Sequence, residues 1–248
     1  ERGSRNGVGT HAQLREPSGL ALDPTVSSRH PDGVLYVADT GNHAIRAVDL
    51  RTGRSRTLAG STGVSGFVDG RGLAASFWRP TGLALAVARR QLFVCDGYNH
   101  AVRVVHVDSA QVRTLAGGGL RGNDDGVGQV ARFQVPRGVA VDEGSDAVYL
   151  VDGGPRVRRI AMATEPTVPS SGGSAYSAEV TTVFDGTFQN MLREVTGVTL
   201  ALEWEALLIA DDALDKIFRL SLVIPSPPPP PGLPPTSPPD FSGGGVNG

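Results

Sequence analysis

Short apolar runs alternate with polar, glycine-rich turns along the chain, and this pattern predicts β-strands. Val-Leu-Tyr-Val-Ala (residues 34–38) and Gln-Leu-Phe-Val-Cys (residues 91–95) are typical runs, rich in valine, leucine and aromatic residues and bounded by Gly, Pro, Asn or Asp. Strands joined by tight turns have this composition. Because no stretch repeats its apolar residues with a helical period, we predict an all-β protein.

The pattern of runs and turns is itself repeated. Val-Ala-Asp-Thr-Gly-Asn-His-Ala-Ile-Arg (residues 37–46) returns almost intact at residues 94–103, is one residue shorter at 151–158 and is degraded at 209–218. The anchoring aspartates lie 57, 56 and 59 residues apart, at Asp39, Asp96, Asp152 and Asp211. A fixed period of this size indicates stacked supersecondary units.

Each of the first three units contains four predicted strands and the fourth unit contains three, which is the pattern of propeller blades. We therefore predict a β-propeller of about four blades in residues 1–224, with a last blade that lacks its fourth strand. The predicted blades lie near residues 17–60, 80–117, 136–186 and 195–222. The ring is then either a four-bladed propeller with one open edge or an arc of a larger ring. Unpaired edges invite another chain, so we expect self-association or a protein partner.

The hairpin between the second and third strands of each unit contains the most conspicuous polar residues. We predict that the aspartate accepts backbone N–H groups two residues further on, and that Gly and Asn take the positive-φ positions. These residues are then turn-building residues and not a catalytic site. They are Asp39, Asn42, His43, Asp96, Asn99, His100, Asp152 and Asp211.

The repeated motif resembles the NHL-repeat family, whose name abbreviates Asn-His-Leu. Asn42-His43 and Asn99-His100 match the first two letters, and alanine follows where leucine would stand. Thr-Leu-Ala-Gly, Asp-Gly, Ala-x-Phe and Pro-x-Gly elements extend the resemblance over residues 6–222, although it is weak in the fourth unit. The resemblance implies a β-propeller that serves mainly as a binding or assembly scaffold.

The chain changes character at Pro225, where a proline-rich stretch begins and a glycine-rich end follows. Proline cannot donate to a β-ladder, so we predict that residues 225–248 form an extended tail, with a polyproline II rod over residues 225–240 and a flexible glycine-rich end after it. Ser-Pro-Pro-Pro-Pro-Pro (residues 226–231) resembles the blocks of extensin-like hydroxyproline-rich glycoproteins of plants and green algae. That resemblance implies hydroxylation and O-glycosylation, at Ser226, Pro227, Pro228, Pro229, Pro230, Pro231, Pro234, Pro235, Thr236, Ser237, Pro238 and Pro239. An unmodified stiff linker and a ligand for aromatic-lined grooves remain alternative interpretations.

Metal and cofactor chemistry find little support in the sequence. The five histidines are His11, His30, His43, His100 and His106. Some NHL-like propellers are zinc-dependent lyases, which need several histidines meeting on the axis. His43 and His100 instead occupy the same position in adjacent units, so the repeat explains them. We predict no metal and no cofactor.

Nucleophilic catalysis is equally unsupported, and we predict that the chain is not an enzyme. No Gly-x-Ser-x-Gly elbow is present. Cys95 occupies the slot held by Ala38, Val151 and Ala210 in the other units, so we predict a small buried apolar residue.

A basic face for RNA, which some NHL propellers have, is the remaining candidate site. Arg46, Arg103 and Arg159 recur once per unit, but the net charge of −2 and the lack of an exposed aromatic series favour a structural role. Each arginine then pairs with a repeat aspartate or covers its neighbouring blade with its stem. We predict no nucleic-acid partner and no membrane span.

Together these patterns predict a non-enzymatic extracellular structural or adhesive glycoprotein of a cell wall, matrix or surface appendage. Its propeller would assemble with other copies or another matrix protein, head to tail and as a fibre, and its tail would bear O-glycans. The alternatives are a binding module cut from a larger receptor or regulatory protein and a propeller lyase or hydrolase. Because the chain begins with Glu1 and lacks a signal-peptide pattern, we expect a processed product or a fragment.

Overall fold

The structure, a computed structural model, describes residues 3–25, 32–162, 178–185, 192–201 and 206–222. Within these ranges the chain forms eighteen β-strands in four antiparallel sheets, each of which is one blade. Short 3-10 turns interrupt the strands. No helix in the described ranges has the length and apolar character needed to cross a membrane.

Blade 1 is a five-stranded sheet with the spatial order β1-β5-β4-β3-β2. Its strands are β1 (Gly7–Val8), β2 (Pro17–Asp23), β3 (Val34–Asp39), β4 (Ala44–Asp49) and β5 (Arg54–Ala59). The four long strands follow each other as hairpins. The two-residue β1 instead pairs with the far edge, where Gly7 lies opposite Ser55. The segment before β2 therefore crosses the blade and covers its outer strand.

Blades 2 and 3 repeat this arrangement strand for strand. Blade 2 contains β6 (Gly70–Arg71), β7 (Pro80–Ala86), β8 (Gln91–Asp96), β9 (Ala101–His106) and β10 (Gln111–Ala116). Blade 3 contains β11 (Gly126–Val127), β12 (Pro136–Asp142), β13 (Ala147–Asp152), β14 (Arg156–Met162) and β15 (Ala178–Asp185).

Blade 4 has three strands among the described residues, in the order β16-β17-β18. They are β16 (Val195–Ala201), β17 (Ala206–Asp211) and β18 (Lys216–Ser221). The predicted all-β propeller with four blades is confirmed, and its last blade has three strands among the residues that the structure describes. The two-residue outer strands of the first three blades are an addition that sequence analysis did not predict. The predicted polyproline tail lies outside the described residues.

Three apolar cores lie between successive blades. The first joins Ala38 and Ile45 of blade 1 to Leu92 and Val94 of blade 2, and equivalent cores join blades 2 and 3 and blades 3 and 4. Strands buried on both faces need apolar side chains at successive positions, which explains the uninterrupted apolar runs in the sequence. Each fully buried aliphatic side chain contributes about 1.5–3 kcal/mol of transfer free energy.

The first long strand of each blade packs against the first long strand of the next, so β2 contacts β7, β7 contacts β12 and β12 contacts β16. Glycine permits this approach. A Cβ atom on Gly82 would lie 2.2 Å from the carbonyl oxygen of Arg137, and one on Gly19 would lie 2.1 Å from that of Thr81. No comparable strand packing joins blade 1 to blade 4 in the described part of the chain.

Candidate functional site

A buried aspartate ends the second long strand of every blade. Its carboxylate accepts backbone N–H groups from the segment just before the first long strand, 18 to 24 residues earlier. The donor–acceptor pairs are Arg15–Asp39 (2.7 Å), Trp78–Asp96 (2.8 Å), Gln134–Asp152 (2.8 Å) and Arg193–Asp211 (2.6 Å). The prediction of donors two residues further on is therefore wrong, although Asp211 also accepts a local N–H, from Leu214 three residues further on, at 3.2 Å. Each aspartate instead anchors the entry of the chain into its blade.

A wholly buried arginine lies beside this aspartate in the first three blades. The Arg103 guanidinium bridges two carboxylates: Nη1 is 2.9 Å from Asp96 and Nη2 is 2.6 Å from Asp69. The rings of Phe67 and Phe77 lie 4.9 and 5.2 Å from its central carbon. We call the aspartate–arginine pair with its second polar partner the Asp–Arg cluster of the blade.

The other Asp–Arg clusters follow the same plan. In blade 1, Arg46 lies 3.3 Å from Asp39 and donates to the amide oxygen of Asn6 at 2.7 Å. In blade 3 the arginine is Arg158, not the predicted Arg159, and it lies between Asp152 and Asp125. The arginine therefore pairs with the repeat aspartate in all three blades, as predicted, but in blade 3 the predicted residue is wrong by one position. Because these guanidinium groups are buried, they do not form a basic surface.

Burial is the largest cause of the pKa shifts of Asp96, Asp152 and Arg46 in these clusters. It raises the pKa of the Asp96 carboxyl to about 6, against the lowering effects of Arg103, Asn99 and the Trp78 N–H. Burial raises the pKa of Asp152 in the same direction and lowers the pKa of the Arg46 guanidinium. Buried charges of this kind persist because each has a partner, and removing one partner is costly.

Asn42 and Asn99 complete the clusters in blades 1 and 2. The Nδ2 group of Asn42 donates to the Asp39 carboxylate at 2.9 Å and to the carbonyl oxygen of Gly3 at 2.7 Å. Asn99 makes the same pair of hydrogen bonds, to Asp96 at 2.8 Å and to Gly66 at 2.7 Å. Both amides therefore fix the incoming segment against the hairpin.

The histidines after these asparagines hold the strained backbone position of the hairpin. His43 has φ 56° and His100 has φ 51°, so the prediction that Gly and Asn take this position is wrong in blades 1 and 2. Each ring also reaches the next blade: His43 Nδ1 accepts the Arg79 N–H at 3.2 Å, and His100 Nδ1 donates to the Gln134 carbonyl oxygen. Burial, with the Arg79 and Arg15 charges, lowers the pKa of His43.

A cavity of about 490 Å³ lies where the four first long strands converge. Arg79 and Arg137 lie at this cavity, and each forms an ion pair with a neighbouring blade, to Glu16 at 2.8 Å and to Glu194 at 2.9 Å. Because these pairs are a third to a half exposed, each stabilises the fold by at most about 1 kcal/mol.

An exposed aromatic pair beside the cavity departs from the repeat. The side chains of Trp78 and Tyr98 are 44% and 47% exposed, and their rings pack edge to face with centroids 5.7 Å apart. The Arg79 guanidinium lies over the Tyr98 ring, 5.5 Å from its centroid. Blade 1 has Arg15 and Gly41 at the equivalent positions. The repeated architecture therefore does not require these two aromatic residues.

The first and last blades expose side chains that the interior interfaces bury. Ile217 in β18 is 74% exposed, whereas the equivalent residues of blades 1, 2 and 3 are wholly buried. These equivalents are Ile45, Val102 and Val157. At the other end, Leu20 and Leu22 of β2 are 59% and 53% exposed, although Leu83 and Leu85, their equivalents in blade 2, are only 7% and 9% exposed. Sequence analysis missed these residues, which alignment of the repeats would have identified as interface positions.

Of the remaining residues named from the sequence, Cys95 is buried, His106 is partly buried, His11 is exposed and the others lie outside the described ranges. Cys95 is wholly buried, and burial raises the pKa of its thiol. The glycosylation and hydroxylation candidates between Ser226 and Pro239 lie outside the residues that the structure describes, as does His30. The described ranges contain no group of three or more His, Cys, Asp or Glu side chains placed to hold a metal ion.

The fold and the repeated clusters define this chain as a four-bladed β-propeller built from one repeated unit. The NHL repeat family model matches residues 77–105, which span most of blade 2. NHL repeat-containing protein 2 of Gallus gallus is 32% identical over 157 residues, which are 60% of this chain and 21% of the chicken protein. Protein SUPPRESSOR OF QUENCHING 1, chloroplastic, of Arabidopsis thaliana is 33% identical over 150 residues, 58% of this chain and 14% of that protein. These similarities support the NHL-repeat propeller family, and the chain matches only 21% and 14% of the lengths of these two relatives.

Solved structures agree on the fold. An auxiliary nutrient binding protein from Bacteroides ovatus has a TM-score of 0.56 at 14% identity, over 83% of this chain and 48% of that one. A gluconolactonase from Xanthomonas campestris has a TM-score of 0.52 at 14% identity, over 84% and 57%. At such low identity these likenesses concern the architecture alone.

Proposed function

We propose that this chain is a non-enzymatic structural or adhesive glycoprotein of the extracellular space, and that its propeller is a protein–protein assembly module. The observation that carries the proposal is the exposure of interface-type leucine and isoleucine side chains on the first and last blades. Exposed apolar patches of this kind mark protein interaction sites. The aspartates and arginines of the repeat are buried and bind each other within the Asp–Arg clusters, so they are not available to a partner. The apolar faces of the first and last blades are exposed instead.

The extracellular part of the proposal rests on the tail. Residues 226–231 have the composition of an extensin-like block, in which hydroxylated prolines bear sugars. A glycosylated polyproline rod would hold the propellers apart or tether them to a wall or matrix. The partner is then another copy of this chain or another matrix protein, assembled head to tail into a fibre.

Mapping the modifications of native material tests this function. We expect intact mass and glycopeptide spectra of residues 222–248 to contain hydroxyproline and pentose or hexose on the Ser-Pro block. Residues 79–81, which contain an isolated proline in the propeller, serve as the internal control and should be unmodified. A tail of unmodified mass in protein from its native source would contradict the extracellular glycoprotein.

A second candidate function is a binding module of a longer receptor or regulatory protein, and Trp78 with Tyr98 favours it. Exposed, rigidly placed tryptophan and tyrosine are enriched among residues that dominate binding energies. We expect the double variant Trp78→Ala/Tyr98→Ala to lose binding to a crosslinked native partner with little change in thermal stability. Leu73→Ala, at an exposed site away from the cavity, is the control. Equal binding by both variants would reject this surface.

A further inference from the structure

The interfaces between blades follow one rule, which also describes the two free ends. We call the side of a blade that faces the next blade in the chain its forward face, and the opposite side its backward face. In the interior, a forward face contributes a buried residue six positions after the repeat aspartate in blades 1 and 2, namely Ile45 and Val102. The backward face contributes two apolar residues of the first long strand, such as Leu83 and Leu85.

Blade 4 has a forward face with nothing packed on it among the described residues. Ile217 occupies the position of Ile45, and Leu208 occupies the position that is aromatic in the other blades. A Cβ atom on Gly197 would meet only the Ala210 side chain of its own blade, at 3.7 Å. On Gly82 the same atom would collide with the backbone of blade 3. The last forward face thus keeps two of the apolar residues and the glycine that receive a neighbouring strand, whereas Thr199 and Arg219 stand in place of Ala21 and Ala47 of blade 1.

Blade 1 has the complementary backward face. Leu20 and Leu22 stand where Leu83 and Leu85 stand in blade 2, on the side of β2 that faces away from the rest of the propeller. At each interior interface, the first long strands of the two blades approach each other at one glycine from each strand. Gly19 is the glycine at this position in blade 1. The two free ends therefore match each other as the two halves of each interior interface do.

We propose that the forward face of blade 4 binds the backward face of blade 1 of a second copy of this chain. The proposal rests on the assembly function above and names its partner and its contact residues. Ile217 and Leu208 of one copy would pack on Leu20 and Leu22 of the next, and Gly197 would admit the β2 backbone. The contact continues the established blade-to-blade interface, which is why a second copy fits it better than an unrelated protein does.

This contact joins two different surfaces and is therefore heterologous. Such contacts propagate along a series of copies unless rotation closes the ring. It uses the faces of the blades, so it differs from the pairing of unpaired strand edges that sequence analysis predicted. The edge of β18, which pairs with no further strand among the described residues, is not needed for it.

Complementation between two face variants tests the proposal. The 248-residue chain is purified with Ile217→Asp, which blocks the forward face, or with Leu20→Asp, which blocks the backward face, and masses are measured by light scattering after size-exclusion chromatography. We expect oligomers of the wild type, monomers of each variant, and a one-to-one dimer when the two variants are mixed. Each variant still presents one intact face, and only the mixture contains a matching pair. Each substitution should weaken self-association about 30-fold or more, as for a hot-spot residue.

The control is Val130→Asp, which changes an equally exposed residue, 73% exposed, away from both end faces. It should assemble as the wild type does, and circular dichroism should give the same spectrum for all variants. A wild-type chain that stays monomeric at high concentration would overturn the proposal and favour further blades of a longer chain as the occupant. Oligomers that neither variant disrupts, or monomeric variants that fail to combine, would overturn it too. Mass spectrometry of residues 222–248 tests the extracellular function separately, because the modifications of the tail do not depend on assembly.

Discussion

Replacing Arg103 by methionine is expected to destabilise the propeller by about 3–5 kcal/mol, the usual cost of leaving a buried charge without its partner. Arg103 is wholly buried and bridges Asp96 and Asp69. Methionine fills a similar volume between Phe67 and Phe77, so the loss reports the charge and not a cavity. Urea unfolding followed by circular dichroism measures the effect. Arg56→Met, at an exposed arginine on β5, is the matched control and should change the free energy of unfolding by less than about 0.5 kcal/mol.

The pH dependence identifies the charge responsible. Burial already raises the pKa of Asp96 to about 6, and loss of Arg103 removes the cation that opposes this rise. Above pH 6 the wild-type carboxylate has released its proton, whereas the native state of the variant retains it, so the variant binds more protons. Its stability therefore falls further behind the wild type as the pH rises from about 5 to 8. A deficit that shrank over this range would contradict the assignment.

The double variant Asp96→Asn/Arg103→Met is the second check. Removing both charges together leaves no unpaired buried ion, because Asp69 is about half exposed and keeps its hydrogen bonds from Thr114. The asparagine oxygen can still accept the Trp78 N–H. We expect it to be more stable than Arg103→Met alone, because a buried ion pair replaced as a unit costs little. If the losses of unfolding free energy caused by Asp96→Asn and by Arg103→Met simply added in the double variant, the two residues would not act as a coupled pair.

The strands could be predicted from the sequence because interior blades bury both faces. Uninterrupted apolar runs such as residues 91–95 stand out against their glycine-rich turns, and the period fixes how many blades they form. The outer strands Gly7–Val8, Gly70–Arg71 and Gly126–Val127 could not be predicted in this way. Two residues carry no periodicity, and their pairing depends on a strand about fifty residues later.

The roles of the polar residues were only partly predictable. Turn preferences describe only neighbouring residues, so they predict that Asp39 accepts N–H groups of its own turn. The observed donor is the N–H of Arg15, which lies 24 residues earlier. The error at Arg159 has a different cause. The third hairpin is one residue shorter, and because strand side chains alternate, a shift of one residue exchanges the two faces. Arg158 keeps the inward position for that reason.

The exposure of Ile217 could not be predicted from its own repeat, because burial depends on whether a neighbouring blade follows. Three equivalent positions are wholly buried, so composition and pattern indicate a core residue. Only the order of the blades in space identifies it as surface. Sequence analysis therefore predicted an open strand edge, but it could not identify the apolar face that blade 4 exposes.

Substituting alanine for Gly82 is expected to destabilise the propeller by about 3 kcal/mol, at the upper end for overpacking. The new Cβ would lie 2.2 Å from the Arg137 carbonyl oxygen and 3.0 Å from the Gly138 Cα, both of which are backbone atoms that cannot rotate away. Blades 2 and 3 would have to separate to admit it. Urea unfolding at several chain concentrations measures the loss, which should be the same at each because the contact lies within one chain.

Gly197→Ala is the matched control, since the same substitution at the same strand position of blade 4 meets only the Ala210 Cβ at 3.7 Å. Its free energy of unfolding at low concentration should lie within about 1 kcal/mol of the wild type. A change of this size is expected because alanine lowers the conformational entropy of the unfolded chain relative to glycine. Its self-association should nevertheless weaken, because the added methyl group occupies the place where β2 of a second copy would approach. The pair of variants thus distinguishes a face that is covered within the chain from one that is open to another chain. Equal destabilisation by the two substitutions would mean that the forward face of blade 4 is already filled.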